Sequence, residues 1–209
     1  GEIYNFKELR QNLEALGHKF VTNHSDTEIL IHGYKEWGEN ISKKLNGMWA
    51  FAILDKTKNK IFLSRDRFGE KPLFYLKKSS NLYFGSEISF IKSLYQNNLK
   101  INYDKIRDFL NYGYKSLKKD KNVFFKEIKE VEPGNNLIVN FDGSIKKFKY
   151  WNPNLKSIKK LNEKDIINSS KNILIDSIKK TARSDVPVAF TLSGGIDSAS
   201  LVSLAAKKL

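Results

Sequence analysis

Seven consecutive apolar residues, Met48 to Leu54, leave a strand no polar face to turn toward water. A half-solvated strand alternates apolar and polar side chains, so an unbroken run reads as a strand covered on both faces. Further short apolar runs follow at Ile61–Leu63, Leu73–Leu76 and Leu82–Phe84, and the first comes after the polar break Lys56-Thr57-Lys58-Asn59. Such spacing predicts an antiparallel sheet sandwiched between helices or against a second sheet.

The flanking sequence has a helical period instead. Phe6, Leu9, Leu13 and Leu16 mark an amphipathic helix over 6–16. Ser25 and Glu28 form a capping box for a second helix with the stripe Leu30, Tyr34, Trp37 and Ile41. Helices are also expected at about 87–95 and 103–112, the latter with Ile106, Phe109 and Leu110 on one side. Residues 128–150 read as strand–turn–strand, with turns at Pro133-Gly134 and Asp142-Gly143. The polar, Lys-rich stretch 151–162 reads as a linker, after which Asn162 caps a long helix carrying Ile166, Ile167, Ile173, Leu174 and Ile178. A strand from Val186 to Leu192, a Ser193-Gly194-Gly195 turn and a helix from Ile196 then open an α/β pattern with a parallel sheet.

Composition excludes several chemistries. With no cysteine in 209 residues, disulfide scaffolds, thiolate-bound metals and thiol catalysis are absent from this stretch. No apolar run is long enough for a membrane-spanning helix. The net charge of +14 invites a nucleic-acid reading, but only five of the 37 basic residues are Arg, and the lysines are scattered rather than striped. A Lys-rich solvated surface is the reading preferred here, with a non-catalytic basic binding module as the alternative from a different class.

The most informative segment is Thr191-Leu192-Ser193-Gly194-Gly195-Ile196-Asp197-Ser198. Glycines between a strand and a helix let backbone N–H groups approach a ligand, and the helix start adds unsatisfied donors and a positive dipole. That suits phosphate, with Ser193 and Ser198 as hydroxyl donors and Asp197 holding a phosphate-bound magnesium ion. Neither a Walker motif nor a dinucleotide fingerprint is present. Arg65-Asp66 with Gly69 and Pro72 reads as a structural turn held by a local ion pair, and Arg183 and Asp185 as packing residues. His18, His24 and His32 read as isolated, with no partnered triad.

Ser193-Gly194-Gly195-Ile196-Asp197-Ser198 resembles the pyrophosphate-binding loop of the ATP-pyrophosphatase family. Gly1-Glu2-Ile3-Tyr4-Asn5, His24 to Glu28, Leu45 to Ala52 and Arg65 to Tyr75 together resemble the class II glutamine amidotransferase domain of glutamine-hydrolysing asparagine synthetases. The resemblance implies an α+β fold: an αββα N-terminal-nucleophile hydrolase sandwich over 1–150, a linker at 151–162, and the start of an α/β ATP-pyrophosphatase domain over 163–209.

It also implies roles. Gly1 contributes an oxyanion-hole N–H, Glu2 and Asp26 hold the α-amino group of glutamine, and Thr191, Ser193, Gly194, Gly195, Ile196, Asp197 and Ser198 hold ATP pyrophosphate with magnesium on Asp197. The residue-level alternative is that Asp26 caps its helix and Glu2 pairs with a nearby lysine. The family's nucleophile is an N-terminal cysteine, which this sequence lacks, so the chain reads as an internal fragment, inactive alone. The expected partners of the parent are glutamine, aspartate and ATP, in the cytoplasm, with no nucleic acid, no membrane and homodimeric assembly left open. A related amidotransferase acting on another carboxylate, in polysaccharide or antibiotic biosynthesis, is the alternative within the family.

Overall fold

A computed structural model describes residues 1–114, 122–153 and 162–208. The chain divides into two compact units, Gly1–Asn152 and Pro153–Leu209. The first unit begins with β1 (Glu2–Ile3), α1 (Phe6–Ala15), α2 (Thr27–Trp37), α3 (Ile41–Lys44) and β2 (Gly47–Met48). It continues through β3 (Ala50–Asp55), β4 (Lys60–Arg65), β5 (Phe74–Lys78), β6 (Asn81–Gly85), α4 (Ile88–Tyr95) and α5 (Tyr103–Tyr112). It closes with β7 (Lys129–Glu130), β8 (Asn135–Asn140) and β9 (Ile145–Lys149).

Two antiparallel sheets form, in the orders β3-β4-β8-β9 and β6-β5-β7, with β1 and β2 as a separate ribbon. The period-2 alternation of the strands builds the layers. Phe62 of β4 and Ile138 of β8 face α1, α2 and α3, packing with Leu9, Leu13, Ile29 and Ile41. Their neighbours Leu63, Leu137 and Val139 face the other way, onto Leu73, Tyr75 and Val131 at the second sheet. On the far side of that sheet, Leu76 packs with Ile91 of α4. Helix, sheet, sheet, helix is the αββα sandwich expected of the sequence.

Several local expectations change. The apolar run 50–54 forms β3, but β3 is an edge strand, with Leu54 53% exposed. The strands with buried runs are the inner pair, β4 and β8. Having one neighbour instead of two leaves β3 partly open, which its sequence alone does not reveal. The face of α2 is centred on buried Ile29 and Gly33, with Leu30, Tyr34 and Trp37 flanking it. On α5 the expected apolar side is open, since Leu110 is 77% exposed, while Lys105 is buried.

Arg65 and Asp66 do not pair with each other, because consecutive residues at a strand end diverge. Arg65 crosses to the second sheet, donating to Glu130 Oε1 at 2.7 Å and to the Val131 carbonyl at 2.6 Å. It also donates to the carbonyls of Lys71 at 2.8 Å and Gly69 at 3.0 Å. Asp66 is fully buried, and its carboxylate accepts the backbone N–H groups of Trp49, Phe68, Glu70 and Lys71 at 3.0–3.3 Å.

The second unit contains α6 (Glu163–Thr181) and α7 (Ile196–Lys208). Asn162 caps α6 as expected, its Oδ1 accepting Asp165 N–H at 2.9 Å. Residues 186–192 do not form the expected strand; they lie unpaired, with Val186 and Leu192 exposed at 69% and 61%. A strand exists only by pairing, and no other strand among the described residues of this unit offers an edge. Most of the expected linker, residues 154–161, lies outside the described residues.

Asp66→Ala removes the acceptor of four backbone amides. It should lower the unfolding free energy by about 3–5 kcal/mol, read by urea denaturation, because the lost acceptor is a buried charge.

Candidate active site

The ribbon β1–β2 positions the first candidate residues, with Glu2 opposite Met48 and Ile3 opposite Gly47. The strands lie too close for side chains at two points. A Cβ on Gly1 would fall 2.5 Å from the Met48 carbonyl oxygen, and one on Gly47 would clash with the Glu2 carbonyl. The ribbon is tied down by Tyr4 N–H on the Asn46 carbonyl and by Asn5, whose amide donates to the Lys44 carbonyl and accepts from Asn46 N–H. Arg67 adds a hydrogen bond to the Leu45 carbonyl at 3.0 Å. Asp66 reaches the same place through Trp49, the residue after Met48.

Asp26 precedes α2, where an acidic side chain ordinarily caps the helix. It caps nothing. Its Oδ2 instead accepts the N–H of Ile3 on β1 at 2.9 Å, while Ser25 Oγ accepts Glu28 N–H. Gly1, Glu2 and Asp26 therefore come together from residues 25 apart in the chain. Among the described residues Glu2 makes no ion pair, so the lysine partner considered from sequence is not formed. The phenol of nearby Tyr4 is pushed up by its own burial and then by Glu70, Glu2 and Asp66. The surroundings of Tyr4 are acidic, and the backbone amide that holds Asp26 is one residue from Glu2.

The capping box forms only in half. Glu28 turns back to the segment before the helix, accepting Val21 N–H at 2.7 Å and Thr22 N–H at 2.9 Å together with the Thr22 hydroxyl. These three donors, the Thr22 hydroxyl foremost, hold its pKa at about 2. The histidines are not isolated either. His18 and His32 meet beside Glu28 and Glu36, an encounter between residues 14 apart that carries no sequence motif. Only His24 is alone, exposed and bonded to Asn23.

The remaining candidates lie in the second unit. Gly194 takes φ +83°, with open space where a Cβ would stand. Ser193 Oγ and Ser198 Oγ are 3.0 Å apart, and Ser198 Oγ donates to the Gly195 carbonyl at 3.0 Å. Thr191, Ile196 and Asp197 are exposed around them, Asp197 in the first turn of α7. Arg183 is half-buried and Asp185 exposed. An open glycine turn leading into a 13-residue helix fits a phosphate group, with hydroxyls and a carboxylate beside it. Among the described residues no group of three or more His, Asp or Glu side chains has metal-holding geometry. No helix of the described residues is long and apolar enough to cross a membrane.

The family model of the glutamine amidotransferase domain matches residues 1–151. The chain belongs to the glutamine amidotransferase family. A second family model, asparagine synthase, matches residues 170–209. Among curated relatives, asparagine synthetase [glutamine-hydrolyzing] 3 of Bacillus subtilis is 38% identical over 99% of this chain and 33% of its own length. Asparagine synthetase [glutamine-hydrolyzing] 1 of the same organism is 37% identical over 98% and 32%. Putative asparagine synthetase [glutamine-hydrolyzing] 2 of Methanocaldococcus jannaschii is 37% identical over 98% and 39%. This amidotransferase chain thus spans about a third of the length of the curated relatives it matches.

Glu28 yields a pH prediction. A carboxyl depressed in the folded state adds stability that is complete above its unfolded pKa, 4.5, and is lost as pH falls toward 2. The amide-proton shifts of Val21 and Thr22 should therefore move together with a midpoint near pH 2. The stability difference between the parent and Glu28→Gln should shrink as pH falls from 4.5 toward 2, and Glu28→Gln should abolish the shift transition.

Proposed function

We propose that this chain is part of a glutamine-hydrolysing asparagine synthetase, with residues 1–150 as the amidotransferase domain and 163–209 belonging to the synthetase domain. The observation that carries the reading is the Asp26 carboxylate, which caps no amide of its own helix, takes the Thr27 hydroxyl on Oδ1, and with Oδ2 accepts the β1 amide of Ile3, one residue from Glu2. The order of the two family matches supports it.

At the first site Glu2 and Asp26 hold the α-ammonium of glutamine, and the Gly1 N–H faces the oxyanion that forms as the side-chain amide is attacked. The absence of any side chain at Gly1 suits that approach. The nucleophile is not among the residues of this sequence. Collapse of that oxyanion intermediate breaks the C–N bond and the amide nitrogen leaves as ammonia; water then hydrolyses the acyl group left on the nucleophile and releases glutamate.

At the second site Ser193, Gly194, Gly195 and Ser198 hold the pyrophosphate portion of ATP through hydroxyls and the first N–H groups of α7, with Thr191 and Ile196 flanking. Asp197 would hold a magnesium ion, which would neutralise phosphate charge. The β-carboxylate of aspartate attacks the α-phosphorus, pyrophosphate leaves, and ammonia displaces AMP to give asparagine. The reaction requires a cytoplasmic supply of ATP.

The two halves are tested separately in the complete gene product, because free ammonia bypasses the first. Asp26→Asn should raise the KM for glutamine about tenfold or more while leaving ammonia-dependent asparagine formation unchanged, since one charged contact to substrate is worth roughly 1.5–3 kcal/mol. Equal loss of both activities would overturn the assignment. Asp197→Asn should do the reverse, cutting aspartate-dependent pyrophosphate release about a hundredfold while glutamine hydrolysis persists.

A further inference from the structure

The segment from Gly17 to Asp26 joins α1 to α2, and its fastenings include a pair of facing histidines. His18 Nδ1 lies 3.2 Å from His32 Nδ1 on α2. The outer nitrogen of each ring meets a carboxylate of α2: His18 Nε2 lies 2.9 Å from Glu36 Oε2, and His32 Nε2 lies 3.4 Å from Glu28 Oε1. The two imidazoles are largely covered, at 14% and 17% side-chain exposure. Phe20 packs on the His32 ring at 4.4 Å, with the Arg10 guanidinium of α1 over the Phe20 ring at 4.6 Å and Glu14 paired to that arginine.

Donor and acceptor counting decides what this arrangement requires. An ionised carboxylate only accepts, so each Nε2 must carry a hydrogen. Glu28 is held in that ionised form by Val21 and Thr22. If both rings were neutral, the two Nδ1 atoms would then face each other as bare lone pairs at 3.2 Å. If both were fully protonated, two N–H groups would face each other instead. Only three hydrogens on the four ring nitrogens satisfy every contact.

We infer that His18 and His32 share a single proton between their Nδ1 atoms, and that this proton-bridged pair positions Asp26 by fastening the segment that carries it. The inference about Asp26 rests on the glutamine-binding reading above; the shared proton does not. The pair bears one positive charge set between Glu28 and Glu36 of α2, with Arg10 and Glu14 of α1 beyond Phe20. The segment is fixed at its start by the pair, at its middle by Glu28, and at its end by Asp26 on Ile3.

A shared proton fails in both directions. Toward alkaline pH the folded chain holds a proton that the unfolded chain has lost, so its contribution to stability falls as pH rises. Toward acid pH the unfolded chain takes up a proton on each ring while the folded pair resists the last one, so the contribution falls as pH drops. The result is a contribution that peaks near neutral pH, where imidazoles exchange protons.

The test is a set of thermal melts of the chain between pH 5 and 9, with His32→Gln, His18→Gln and the control His24→Gln. The difference in midpoint between the parent and His32→Gln should pass through a maximum of about 2–4 °C and fall on both sides, with His18→Gln alike and His24→Gln flat. Nitrogen-15 spectra of the rings at neutral pH should show hydrogen on both Nε2 atoms and one hydrogen exchanging between the Nδ1 atoms. A difference that is level with pH, or two unprotonated Nδ1 atoms, would overturn the shared proton. So would a zinc-dependent rise in midpoint abolished by EDTA, since the Nδ1 atoms would then be metal ligands. In the complete gene product, the glutamine KM should rise at least threefold on His32→Gln and lose its pH dependence, with ammonia-dependent synthesis unchanged. A peaked stability difference with an unmoved KM would overturn the positioning role alone, and failure of Asp26→Asn to move KM marks failure of the underlying reading instead.

Discussion

The first unit depends on one buried carboxylate. Asp66 gathers four backbone N–H groups, while its own N–H bonds the Trp49 carbonyl and its carbonyl accepts Gly134 N–H. A buried charge is tolerated when such donors replace its water. The effect is mechanical: the turn after β4, the strand entering β3 and the turn before β8 are drawn to one point. Arg65, the preceding residue, joins the two sheets through Glu130 and Val131. Gly69 is required by the same crowding, since a Cβ there would lie 2.8 Å from Pro133 and 3.1 Å from the Arg65 guanidinium carbon, at φ +68°.

A second polar chain runs on the helix-facing side of the first sheet. Trp49 Nε1 donates to Ser64 Oγ, which meets Ser42 Oγ at 2.9 Å, and Ser42 reaches Asn136 Oδ1 at 3.0 Å. All of these residues are buried, so each bond replaces one to water, and an apolar substitution at a single member would orphan the next. Tyr150 closes the layer by donating to the Arg65 carbonyl at 2.8 Å, and burial pushes its phenol up. Trp49 therefore belongs to both networks, one through its backbone and one through its indole. It also follows Met48, against which Gly1 and Glu2 lie. The candidate site is thus attached to the most constrained part of the core rather than to a free surface loop.

Period and turn chemistry made most of this fold legible in the sequence. The helices at 6–15, 88–95 and 103–112 and the turns at 56–59 and 142–143 stand where apolar spacing and Asn, Asp or Gly put them. What sequence could not tell is which strand has neighbours on both sides. Ala50–Leu54 reads as the most buried strand and is an edge, whereas Asn135-Asn136, polar by composition, lies inside. The extended segment 186–192 is the same lesson reversed, because strand propensity without a partner leaves apolar side chains exposed. In the site, the carboxylates were visible as candidates only through family resemblance. The histidine pair was invisible, since its members meet through tertiary packing of the segment between two helices.

Asp26 shows how a carboxylate at a capping position can be given to another element. A capping carboxylate commits an oxygen to the first amides of its own helix and faces along the helix axis. Here Ser25 accepts the Glu28 amide instead, and the Asp26 carboxylate, with the Thr27 hydroxyl on Oδ1, gives Oδ2 to a different element. One lone pair of Oδ2 takes the Ile3 amide, which orients the group without exhausting it, because a carboxylate has about four acceptor sites. The exposed Glu2 carboxylate is one residue away on the same strand, with no cation among the described residues bound to it. The acidity of this corner in a chain of charge +14 is therefore local. It is made by Glu70, Glu2 and Asp66 around Tyr4, and a whole-chain charge count averages it away.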